Sequence, residues 1–286
     1  MVDCETGDLQ QWVGKTETVA DEAALAPLKA LAATLDRDSS SLRPGDDVPP
    51  CWQWLYFPPL CPQSEIGADG HPRRGGFLPP VSLPRRMWAG SRLEFRQPLR
   101  IGERIIKRSC ITDVTRKQGS AGSLVFVRVH HEIAASQGVA VVEEQDIVYR
   151  DVARQAGGAA TRLAPTDEQF SRQVRPDPVL LFRYSALTFN AHRIHYDRAY
   201  AVGEEGYAGL VVHGPLLAIL LLDELQRVKP EAHLRTFEFK AVSPLLDTAA
   251  FEICGRLDRD RAVLWARGPQ GELAMQATAV ITADSG

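Results

Sequence analysis

Asn190, His192 and His195 lie close together on a short polar stretch, and His213-Gly214-Pro215 follows at the head of the apolar run Leu216–Leu225, LLAILLLDEL. An imidazole exchanges protons near neutral pH, whereas a carboxamide orients a ligand but cannot serve as a base. Pro215 has the fixed φ that suits a first helical position, which places Gly214 at the cap and the helix N-terminus beside the histidines. Unpaired backbone N–H groups at such a terminus stabilise a developing oxyanion, and glycine lets a substrate approach them closely. The chemistry these residues allow is proton transfer coupled to stabilisation of negative charge on oxygen. Taken singly, each has a plainer reading: a hydrogen-bonded loop histidine, an asparagine that turns its own backbone, a glycine that caps a helix.

The elements that must position these groups differ between the two halves of the chain. Leu216–Leu225 is apolar on nearly every face, so the helix it begins, running to about Val228, is predicted to be wrapped by other structure. Strands are predicted near 234–240, 249–257, 261–267 and 273–282. In the first half, Val19–Leu35 reads as a helix kinked near Pro27, and residues 37–80 as an irregular, proline-rich segment that covers or lines something. Strands follow over 91–99, 104–116, 123–134 and 139–149, separated by Gly102, Gly119, Gly122 and Gly138, as in antiparallel hairpins. His130-His131 falls in one of them, so one ring should face solvent and the other the interior. Residues 151–170 lose the alternation and read as a linker. Arg92-Leu93-Glu94-Phe95-Arg96 is echoed by Thr236-Phe237-Glu238-Phe239-Lys240, which suggests a duplicated unit.

Composition narrows the classes. At 286 residues with a net charge of −3, the chain is large enough for a sizeable core and offers no basic surface for nucleic acid. No segment reaches the length of a membrane span and the first twenty residues lack a secretory pattern, so a soluble cytoplasmic protein is expected. The five cysteines are odd in number and irregularly spaced, so free thiols are expected, including Cys51 and Cys61.

The stretch Asn190–Leu217 resembles the MaoC-like hydratase and dehydratase family, in which Asp and His five positions apart precede a later His-Gly pair. Asn190, His195 and His213-Gly214 occupy those places, with asparagine where the family has its aspartate and Leu222 where a supporting serine is common. The strings GGFLPPVSLPRRMWAGSRLEFRQPLRIGE (75–103) and FRYSALTFNAHRIHYDRAYA (182–201) are similar to a subgroup with two hot-dog units in one chain, which includes hydratases of 3-methylfumaryl-CoA (mesaconyl-CoA). The resemblance implies an α+β double hot-dog, two antiparallel sheets each wrapped around a helix. It implies an N-terminal unit (1–150) that builds the acyl pocket, the linker, and a catalytic unit (171–286).

The implied activity is reversible addition of water to an enoyl-CoA, with coenzyme A as part of the substrate and no separate cofactor. His195 would be the acid/base, Asn190 would orient water and the Gly214 N–H would hold the enolate oxygen. His192, Arg193, His213, Arg85, Arg86, Trp88 and Lys240 are candidates for substrate binding, with Arg96 a further phosphate contact and Arg183 an alternative to Arg193 for a substrate carboxylate. His192, His195, Asp197 and His213 match no metal-site spacing, and no metal is expected. The expected partner is an acyl-CoA, with a homodimer left open. Two rivals stand beside this reading: a hydratase or dehydratase for ordinary acyl chains on CoA or acyl carrier protein, and a catalytically silent acyl-thioester-binding protein.

Overall fold

The structure, a computed structural model, describes residues 9–119, 122–151 and 161–283. Ten strands form one antiparallel sheet in the order β1-β3-β4-β5-β2-β7-β10-β9-β8-β6. The first five are β1 (Thr16–Glu22), β2 (Arg85–Phe95), β3 (Arg104–Gly119), β4 (Gly122–Ala135) and β5 (Gly138–Arg150). The second five are β6 (Phe170–Val174), β7 (Ala232–Ala241), β8 (Phe251–Asp258), β9 (Arg261–Arg267) and β10 (Leu273–Ala283). Read inward from its outer edge, each half has the same connection order, so the architecture is the expected α+β double hot-dog with its two sheets joined edge to edge.

The join is the β2–β7 pair. There Leu93 faces Phe237, while Arg92 faces Glu238 and Glu94 faces Thr236. These are the two segments that echo one another in sequence, and each member of the pair Leu93/Phe237 faces its own counterpart. A pseudo-twofold axis therefore passes through this pair. Period-two alternation buries Phe237 and Phe239 and exposes Thr236, Glu238 and Lys240. Gly90 is required at the seam, because a Cβ there would lie 2.3 Å from the Phe239 carbonyl oxygen.

The helices break the symmetry. Helix α4 (Gly214–Val228) packs against every strand of the second half and buries Leu216, Leu217, Ile219, Leu220, Leu221 and Leu225. At the corresponding place in the first half, between α1 and β2, stand the irregular segment and two short 3₁₀ turns, Trp52–Leu55 and Gln63–Glu65. The predicted helix over Val19–Leu35 is corrected. Thr16–Glu22, which carries β-branched residues, is edge strand β1 against β3, and α1 covers only Leu25–Thr34. Pro27 sits in the first turn of α1, where its missing N–H breaks no helical hydrogen bond, so it introduces no kink of the expected kind. His131 shares the buried-side parity of Val129 and Ile133, and His130 is paired with Glu144. Cys51, Cys61, Cys110 and Cys254 are free thiols. Much of the expected linker, residues 152–160, lies outside the described residues. Among the described residues no helix is long and apolar enough to cross a membrane.

Candidate active site

The polar stretch begins in a helix that the sequence reading missed. Asp177 caps α2 (Pro178–Leu187) by accepting the Leu180 N–H at 2.8 Å, and Pro178 fills its first position, so Tyr184 and Ser185 are helical and buried. The Asp177-Pro178 pair was the available signal. Phe189 then turns through a left-handed conformation, with φ at 50°. The Asn190 side-chain oxygen accepts the His192 N–H at 3.0 Å, closing a local turn that aims residues 192–195 back into the protein. Asn190 therefore has its plain structural role, whatever else it does.

His192, His195 and His213 come together. The rings of His195 and His213 stack at 3.7 Å, and His192 stands edge-on to His195 at 5.4 Å. His195 Nδ1 lies 2.7 Å from the Val211 carbonyl oxygen, which only accepts, so Nδ1 carries the hydrogen and Nε2 keeps a bare lone pair. His213 caps α4, with Gly214 and Pro215 as its first two residues, one place earlier than the sequence suggested. The Gly214 N–H is thus one of the terminal donors that an α-helix leaves unpaired internally. His213 Nε2 is 2.8 Å from Ser185 Oγ, so a supporting hydroxyl comes from α2, while Leu222 is buried in α4. Burial holds the row neutral: His195 is pushed down to about 4 and His192 to about 2, and His213 is also well below its ordinary value.

The irregular first-half segment extends this row. His71 lies with its ring 4.2 Å from that of His192, and its Nδ1 donates to Asp69 Oδ2 at 3.1 Å. Hydrogen bonding to His71 holds the Asp69 carboxyl below its usual range against the effect of burial. Two bonds seat this loop on the polar stretch: Arg193 N–H to the Asp69 carbonyl at 2.9 Å, and the Arg193 guanidinium to the Ala68 carbonyl at 3.0 Å. Gly70, with φ at +90°, fits where a Cβ would fall 1.7 Å from the Ala191 carbonyl oxygen. Asp69 and His71 were not singled out from sequence; an Asp-Gly-His triplet in a segment expected to line something was the only hint. Asp69, His71 and His192 bring donor atoms within 4.8 Å of one another, a different set from the histidines weighed for metal above.

The other predicted residues are distributed around this row. Arg193 also pairs with Asp197 at 2.7 Å, and Arg85 pairs with Glu205 at 2.9 Å. Arg86 faces Tyr149 across β2–β5 and is close enough to His71 and His192 to disfavour their protonation. Trp88 meets Trp54 edge-on at 5.1 Å, and its carbonyl is the nearest group to the open side of Gly214. Lys240 is exposed on β7, Arg96 is exposed and paired with Glu94, and Arg183 is exposed on α2. The structure does not bring these last three into the histidine row.

The family Hydroxyacyl-thioester dehydratase type 2 (Htd2) matches residues 51–247, and a Mesaconyl-C(4)-CoA hydratase of Chloroflexus aurantiacus is 47% identical over 96% of this chain and 98% of its own. The chain belongs to the Htd2 family. The Htd2 match takes in the loop bearing Asp69 and His71, the row from His192 to His213, and the seam between halves. Among solved structures, a MaoC-like dehydratase superposes with a TM-score of 0.73 at 15% identity, covering 97% of this chain and 100% of that one. A Mycobacterium tuberculosis protein described as having a double hotdog fold superposes at 0.57 and 11% identity, covering 96% and 99%. At these identities they speak to the fold alone.

Proposed function

We propose that this Htd2-family chain is a hydro-lyase that reversibly adds water to an enoyl-CoA, with 3-methylfumaryl-CoA (mesaconyl-CoA) as substrate and citramalyl-CoA as product. The observation that carries the reading is the tautomer of His195, whose Nδ1–H is tied to Val211 and whose bare Nε2 stands beside the N-terminus of α4. In the hydration direction, His195 Nε2 takes a proton from water as the oxygen bonds to the β-carbon. The displaced π pair moves onto the thioester oxygen, where the Gly214 N–H stabilises it. The proton then passes to the α-carbon, so the enzyme ends as it began. Asn190 holds the turn and orients the water, and the reaction needs no cofactor beyond the coenzyme A of the substrate. The hydratase relative, similar along nearly its whole length, supports the choice of acyl group.

A second reading is favoured by the family description itself: dehydration of ordinary hydroxyacyl thioesters. A panel of enoyl-CoAs, followed by loss of the conjugated thioester absorbance, separates the two. Highest kcat/KM on 3-methylfumaryl-CoA supports the first reading, and highest kcat/KM on unbranched monocarboxylic chains supports the second. His195→Ala should lower kcat about 10²- to 10⁴-fold in a folded protein. Near-normal turnover in that variant would remove His195 from the chemistry.

A further inference from the structure

His195 cannot take a proton from water without becoming a cation in a buried place. The row offers little relief, since His192 and His213 are buried imidazoles whose protonated forms are equally disfavoured. A carboxylate at position 190 would provide a countercharge, but the residue there is the neutral Asn190, whose oxygen already accepts the His192 N–H. Asp197, two residues beyond His195, is committed to Arg193 and to capping α3 (Arg198–Gly203). Asp69 is placed differently: its carboxylate holds His71, and the His71 ring rests on His192, which stands against His195.

We propose that Asp69 and His71, contributed by the first half, are positioning residues that replace the carboxylate missing at Asn190, supplying through His192 the countercharge for the imidazolium formed at His195. The proposal rests on the hydration reading above. The step balances within the row: the water O–H bond breaks as the C–O bond forms, the proton stands on His195, and it leaves when the α-carbon is protonated. Asp69 takes no proton. It lowers the free energy of the charged interval, as a carboxylate does behind a catalytic imidazole, although Asp69 itself is only partly buried. The loop is built for this placement, since Gly70 permits an approach to Ala191 that any side chain would block, and Arg193 ties down the carbonyls of Ala68 and Asp69.

Among the described residues, the other charged or titratable groups facing the row and its Asp69 end are Arg74 from the same segment, Arg86 from β2, Tyr149 from β5, Tyr184 from α2 and Tyr200 from α3. The two arginines oppose an imidazolium there, so removal of Asp69 leaves their effect uncompensated. Asp69→Asn keeps the shape of the side chain and removes the charge. It should lower kcat about 10- to 100-fold with little change in KM, the size of one charge acting across several ångströms of protein. Its acid limb should move to lower pH, because losing a neighbouring carboxylate lowers an imidazole pKa.

The double variant Asp69→Asn with Asn190→Asp returns a carboxylate to the row from the other side, and should recover at least about tenfold of the lost kcat. Should Asp69→Asn fail to fold, His71→Gln tests the same link. NMR titration of the His195 ring in the folded variant reads the pKa displacement independently of turnover. A kcat within about threefold of the parent overturns the proposal. So does a lower kcat with neither a displaced His195 titration nor recovery in the double variant, because that pattern assigns the loop a purely structural role. Failure of the parent to hydrate any enoyl-CoA while the NMR shift is present sinks the hydratase reading instead.

Discussion

Acidification should destabilise this protein well above the pH at which its carboxylates titrate. The perturbation is a fall from pH 7 to pH 5, and the responding groups are histidines held neutral by burial, among them His131 and His195 at about 4 and His192 at about 2, with His71 and His213 lowered as well. In the unfolded chain each returns to about 6.5, so as pH falls the unfolded state binds protons first. The stabilisation is fully present above about pH 7. It is lost downward from 6.5, ending near 4 for His131 and His195 and near 2 for His192. Each group contributes about 1.4 kcal/mol per pH unit inside its window, so three together give about 4 kcal/mol between pH 6 and 5, against a typical total of about 5–15. Urea midpoints followed by far-ultraviolet circular dichroism at half-unit steps measure this slope directly. His131 accepts from Ser109 and donates to Gln145 on the first-half sheet, apart from the row, so His131→Gln should reduce the slope by about one proton. A parent slope below about one proton between pH 6 and 5 would refute the reasoning.

Gly70→Ala should destabilise the fold by about 1–3 kcal/mol and lower kcat further than stability alone explains, because the positive φ and the overlap with Ala191 both force the loop off the row; thermal midpoints and steady-state rates check it, and an unchanged kcat would detach the loop from function. Exhaustive chelation should leave hydration unchanged, despite the donor atoms of Asp69, His71 and His192 lying within reach of one ion; activity lost on chelation and restored by a stoichiometric metal would assign that cluster to an ion.

Eight of the ten strands and α4 were legible because their patterns are local: alternation in Thr236–Lys240, and an unbroken apolar run behind His213-Gly214-Pro215. Strand β6 was missed, a five-residue edge strand at the end of the expected linker. The row from Asn190 to His213 was legible because one contiguous stretch carries it. Asp69 and His71 were not, because their meaning is a contact made across more than a hundred positions, and nothing in an Asp-Gly-His triplet says which surface it will meet. The β1 region failed for a related reason: alanine and leucine after Val19 gave a helical signal, and only pairing with β3 decides that Thr16–Glu22 is extended. Lys240 was chosen for charge alone, and the alternation that buries Phe239 turns its neighbour outward.

The pseudo-twofold axis through Leu93 and Phe237 makes the chain equivalent to two copies of one unit under a single peptide backbone. In a symmetric pair of separate chains every substitution is made twice, so a loop remodelled to serve one catalytic centre is remodelled at the other as well. A tandem chain is free of that constraint. One copy keeps its long helix, while the other has only short turns at Trp52–Leu55 and Gln63–Glu65 in the corresponding place, within a segment that reaches across to the first copy's histidines. A tightly fitted residue such as Gly70 then answers to one neighbour only, and the specialisation of each half proceeds without compromise to the other.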